Sequence, residues 1–209
     1  MGSKNLTNLS IQKTFAFIVV AVLIGTLIMG PSMTSVKAVQ ATNAVITHWT
    51  FDSVPSDATT STGTTNPMDG GGTLSFIGGS STTGGFVAGQ FYDSAFNTDD
   101  SSYEIKKFPS QGKGNLTTGL EFSTPTLGYS NVALTFAHKH NNFAPNRLAI
   151  QYAIDGGNFI THTFVIADNS TSFVDRTINF GTALNNKSSV KFRIVATYAE
   201  GTEGYAPTT

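Results

Sequence analysis

Residues 131–166 read NVALTFAHKHNNFAPNRLAIQYAIDGGNFITHTFVI, and this stretch decides the fold. Val132, Leu134 and Phe136 alternate with Ala133, Thr135 and Ala137, and His138 and His140 extend the first row. Leu148, Ile150, Tyr152 and Ile154 repeat the pattern one segment later. A period of two places each set on one face of an extended strand, with the apolar face turned inward. Asp155-Gly156-Gly157 then predicts a hairpin turn, because Asp and Gly accept the positive φ angles that a tight turn requires. Asn158 to Ala167 returns as the partner strand.

The same pattern recurs on both sides. Val45 to Asp52 (VITHWTFD) is expected to place Val45, Thr47, Trp49 and Phe51 on one face, with Trp49, the single tryptophan, inward. Thr73 to Ile77, Phe86 to Tyr92, Thr117 to Phe122, Ser172 to Phe180 and Ser189 to Tyr198 read as further strands. In the last, Val190, Phe192, Ile194, Ala196 and Tyr198 oppose Lys191, Arg193 and Thr197. Tyr103 to Phe108 is expected at a sheet edge, where Lys106 and Lys107 discourage stray pairing. Residues 53–72 read as a long polar loop and Asp93 to Ser102 as an acidic one. No amphipathic helix follows residue 41. About ten short strands without βαβ alternation predict an all-β domain, a two-sheet antiparallel β-sandwich of jelly-roll type.

The first 41 residues are of another kind. Lys4 and Lys13 precede an apolar run, Phe15 to Gly30, which Pro31 ends; Val36-Lys37-Ala38 and Val39-Gln40-Ala41 offer small-residue exits. A basic region, an apolar helix-forming core and a small-x-small site make a secretory signal peptide. The competing reading is an uncleaved anchor, for which the run is short against the ~20 residues that span a bilayer. The expected organisation is therefore a signal segment at 1–41 and one β domain at 42–209, secreted or held at the cell surface. Contact with the membrane is expected only through the N-terminal segment.

The chain has 12 Lys and Arg against 13 Asp and Glu. Without Lys4, Lys13 and Lys37 the exported part keeps 9 basic and 13 acidic residues, a net charge of −4. This balance gives no electrostatic footprint for nucleic acid. There is no cysteine, so an exported domain must hold together through its core and sheet ladders. Asn115, Asn169 and Asn186 each open an N-glycan acceptor triplet.

The run Val132 to Gly157, with its strand, polar segment, Tyr-bearing strand and Asp-Gly-Gly turn, resembles a β-sandwich module of secreted bacterial proteins. That module is often found beside extracellular nuclease or lamin-tail-like domains and sorting tails. The Trp49-x-Phe51 opening, Gly72 to Ser75 and Phe192 to Ala196 with the Gly201 to Tyr205 loop fit the same pattern. The polar segment departs from it, with Lys139 and Asn141 where the module has Arg and Ser. The resemblance implies a binding or accessory part without catalytic role. It also implies a closing strand with a W/F-x-F-D motif beyond the tyrosine loop, which is not found before Thr209.

Candidate site residues are few. His138 and His140 share a strand face, a spacing that suits a transition metal and equally suits a core row running out into a loop. Asp93, Asp99 and Asp100, with Asn97, offer oxygen ligands for Ca²⁺, though not at EF-hand spacing. Aromatic rings give flat apolar area for a sugar, and Tyr103 and Tyr205 lie in polar context, so they are the expected exposed platforms. With His138, His140, Asn142 and Arg147 they form the expected ligand-binding set. Glu104 and Glu121 are carboxylates of the kind a glycosidase pair uses, and nothing in the sequence brings them together. No G-x-S-x-G or H-E-x-x-H motif occurs. The reading is a non-catalytic binding module for an extracellular polysaccharide or glycan. The alternatives are a cell-surface subunit that self-assembles by strand donation and an accessory domain of a larger secreted hydrolase.

Overall fold

In the computed structural model, residues 44–79, 82–89, 99–110, 112–140, 144–145, 147–166 and 172–197 are described in full, and residues 3–13 as backbone. These residues form twelve strands and no helix, and every pairing is antiparallel. One sheet has seven strands: β1 (Ser3–Lys13), β2 (Ala44–Trp49), β3 (Asp69–Gly70), β5 (Thr83–Ala88), β6 (Ser101–Lys106), β8 (Ala133–His140) and β11 (Val174–Asn179). The other has five: β4 (Thr73–Ile77), β7 (Gly119–Thr124), β9 (Arg147–Ile154), β10 (Ile160–Ile166) and β12 (Val190–Ala196). Their order is β10-β9-β12-β7-β4.

Both sheets turn apolar rows into one core. Leu134 and Phe136 of β8 and Trp49 of β2 come from the larger sheet; Leu120 and Phe122 of β7, Ile150 of β9 and Phe192 of β12 come from the smaller. Trp49 meets Phe122 edge to face at 5.2 Å. Its indole Nε1 donates to the Thr65 carbonyl at 3.1 Å, which fastens the polar loop over the core. The anticipated row from Val132 to His140 is buried throughout. The Asp155-Gly156-Gly157 turn also has the expected form: φ is 49° at Asp155 and 81° at Gly156, and Gly157 N donates to Ile154 O at 2.9 Å.

Two expectations are corrected. In β2, Thr47 lies opposite Ile11 of β1 but Val45 lies opposite Gln12, so Ile46 is the extra residue of a bulge. The bulge reverses the parity ahead of it: Ile46 is 7% exposed, while Val45, expected inward, is 48% exposed. Second, β6 is not an edge strand; it pairs with β5 on one side and with β1 on the other. Residues 3–13, ahead of the apolar run, form β1 inside the larger sheet. The expected signal helix itself lies outside the described residues, among which no helix is long and apolar enough to cross a membrane.

Candidate functional site

Among the described residues, those expected to bind a ligand do not form one surface. Tyr103, anticipated as an exposed platform, is a half-buried core residue. Its ring lies 5.4 Å from Phe86, 5.9 Å from Phe51 and 6.5 Å from Phe76, and burial pushes its phenol pKa up. It fits there because Gly84 has no side chain; a Cβ would meet the Tyr103 ring within 3 Å. His138 and His140 are only 1% and 3% exposed. Arg176 Nε donates to His138 Nε2 at 3.2 Å, and the Phe136 ring lies 5.7 Å away. The two histidines thus belong to a buried row and not to an open metal face. Asn142 and Tyr205 lie outside the described residues, as do Asp93 and Asn97.

Asp99 and Asp100 immediately precede β6, with different roles. Asp99 is buried and fully used: Oδ2 accepts from Ser53 N at 3.0 Å and Asp57 N at 3.2 Å, and Oδ1 from Ser101 Oγ at 3.3 Å. It is a brace for the loop after β2. Asp52, also buried, takes Ser101 N on Oδ1 at 2.9 Å, while its Oδ2 has no partner among the described residues. Asp100 Oδ1 is likewise buried without a partner among the described residues, and desolvation, then the charge on Asp52, raises its pKa. Among the described residues no three His, Asp or Glu side chains converge as a metal-binding group. Glu104 and Glu121 fall on different sheets; Glu104 pairs with Lys106 and Glu121 with the cations described next.

A different set of side chains is brought together on the five-stranded sheet. Leu120 and Phe122, Phe192 and Ile194, and Leu148 and Ile150 face the core, so the alternate residues line the opposite face. The register aligns Ser75, Glu121, Arg193, Gln151 and Thr161 as one row across all five strands. Four strand spacings of ~4.8 Å make this row about 19 Å long. Lys191 Nζ donates to Glu121 Oε1 at 2.8 Å, and Arg193 Nε donates to Oε2 at 2.8 Å. The guanidinium carbon of Arg193 lies 3.6 Å from the centre of the Phe159 ring. Gln151 Nε2 donates to Thr161 Oγ1 at 3.0 Å. Burial alone would raise the Glu121 carboxyl, but hydrogen bonds and charges from Lys191 and Arg193 outweigh it and hold the pKa below its ordinary value.

Beside the polar row runs an apolar one. Phe164 of β10 stands opposite Ala149, and Ala149 opposite Val195. Ala149 and Val195 are buried, whereas Phe164 is 46% exposed. Arg147, opposite Ile166, shares this face and is, among the described residues, the one anticipated ligand residue placed on it. The face therefore combines an exposed aromatic ring, a guanidinium stacked on a second ring, a carboxylate, an amide and two hydroxyls.

Sequence reading missed this row because its members are far apart along the chain; Glu121 and Arg193 are separated by 72 residues. The visible signal was only the polar alternation of β12, Lys191 and Arg193 between core residues. No protein-family model matches the chain, and no curated protein or solved structure matches it either.

Proposed function

We propose that this chain is an exported, non-catalytic β-sandwich of jelly-roll type that binds an extracellular carbohydrate on the outer face of its five-stranded sheet. The resemblance to secreted bacterial sandwich modules supports the fold, and the apolar run with its small-residue exits supports export. The observation that carries the ligand reading is the cross-strand row from Ser75 to Thr161 beside the exposed Phe164. Sugars present hydroxyls at their edges and C–H groups on their faces, so they suit alternating donors and acceptors next to a flat ring. The test is affinity of the folded chain for a panel of soluble polysaccharides, repeated with Phe164→Ala. Binding to at least one polymer, weakened by the variant, is expected. A folded protein that binds none, or binds equally well without Phe164, refutes the reading.

A second reading, assembly at the cell surface by strand donation, is favoured by the place of β1, which joins strands that do not otherwise pair.

A further inference from the structure

β1 is the hub of the larger sheet. One of its edges pairs with β8 from residue 4 to residue 12. Its other edge pairs with β6 from residue 3 to residue 6 and with β2 from residue 9 to residue 13. No pairing joins β8, β6 and β2 to one another directly. Without β1 the sheet divides into β11-β8, β2-β3 and β5-β6, and β8 loses its partner along a whole edge.

The sequence of this strand matches its place. The pairing with β8 shifts register between Thr7 and Leu9. With that shift, Leu6, Leu9 and Ile11, the three apolar residues of the segment, stand opposite His138, Phe136 and Leu134. Those three belong to the buried row of β8. On the other edge Leu9 stands opposite Trp49, which is also fully buried. The three apolar positions of β1 thus hold register positions opposite buried residues of β8 and β2.

The same residues head the segment that reads as a signal peptide, with Lys4 and Lys13 ahead of the apolar run. A basic stretch that stays on the inner side of a membrane does not also pair with β2 and β8 on the outer side. On the proposed reading of an exported chain, on which this inference rests, export would empty the slot and leave β8, β6 and β2 with unpaired backbone groups facing the gap.

We infer that the place held by Ser3–Lys13 is a strand-accepting slot, filled in the exported protein by an extended peptide segment of the same pattern. That segment runs antiparallel to β8 and β2, with apolar residues spaced as in Leu6-x-x-Leu9-x-Ile11 and polar residues between. Main-chain hydrogen bonds hold it, and the three apolar positions select it.

The test uses the full chain in mild detergent, with a site-specific protease sequence inserted between Ala41 and Thr42. After cleavage, the body is incubated with a labelled synthetic peptide of residues 3–13. The expected result is uptake of the peptide, with Leu9→Lys in the peptide weakening uptake about tenfold or more and Ser10→Lys having little effect. A cleaved body that loses its N-terminal fragment, keeps its β-sheet spectrum and melting temperature, and takes up no peptide overturns the inference. Stability of the uncut chain gives a second readout. Leu9→Lys should lower the melting temperature clearly more than Ser10→Lys, and equal effects overturn the assigned register.

Discussion

Glu121→Gln tests whether the row on the five-stranded sheet is a tightly held network or a set of independent surface charges. The Glu121 side chain is 14% exposed, while Arg193 and Lys191 are 28% and 44% exposed. Exposed ion pairs contribute about 0.2–1 kcal/mol, and breaking a buried one costs about 3–5 kcal/mol. The network lies between these limits. Its carboxylate meets both cations within 2.8 Å, and losing its charge leaves Lys191 and Arg193 side by side on one strand face without their counter-charge. We expect a loss of about 2 kcal/mol at pH 7, less than for a fully buried pair because Lys191 stays solvated. For a domain of this size that lowers the melting temperature by roughly 4–8 °C. The pH dependence has a definite sign. The folded-state pKa of Glu121 lies below the ordinary 4.5, so its contribution is complete above that value. It fades as pH falls through the folded-state pKa. Urea unfolding of wild type and Glu121→Gln at pH 7 and again near pH 3 measures both. A difference below about 0.3 kcal/mol at pH 7, or one that persists undiminished in acid, refutes the reasoning.

Three further outcomes follow from the core and its braces. Trp49→Phe keeps most of the buried ring but removes the donor to Thr65 O, and should cost about 1–3 kcal/mol by denaturant unfolding. Asp99→Ala releases the amides of Ser53 and Asp57; limited proteolysis should then cut between residues 53 and 62, where the wild-type protein resists. Asp100→Asn should stabilise the protein at neutral pH, because the folded-state pKa of Asp100 is raised and the folded state favours its neutral form. The gain should disappear as pH falls below the ordinary 3.8, where wild-type Asp100 is protonated in both states; melting curves across that range check it.

What the sequence revealed was what lies within one strand or one turn. The buried row of β8 and the Asp-Gly-Gly hairpin follow from residues a few positions apart, and both took the expected form. Val45 failed because parity counts residues and a bulge adds one, and that bulge depends on the pairing with β1, more than 30 residues upstream. Tyr103 looked exposed from its polar neighbours, yet Gly84 on the paired strand leaves room for its ring in the core. The candidate face was hidden for the same reason. Ser75, Glu121, Gln151, Thr161 and Arg193 become neighbours only through four strand pairings, and no local signal records those pairings.

The position of β12 has a consequence for the time course of folding. It is the last strand described along the chain, yet it lies in the middle of its sheet, between β7 and β9. Until residues 190–196 leave the ribosome, β7 has only β4 beside it and β9 only β10. Neither pair is stable by itself, since an isolated two-stranded ribbon is marginal in water. Closure then requires contacts across some 70 residues, which slows folding. A chain built this way cannot complete its five-stranded sheet, or the core that sheet covers, until its last described strand has been made.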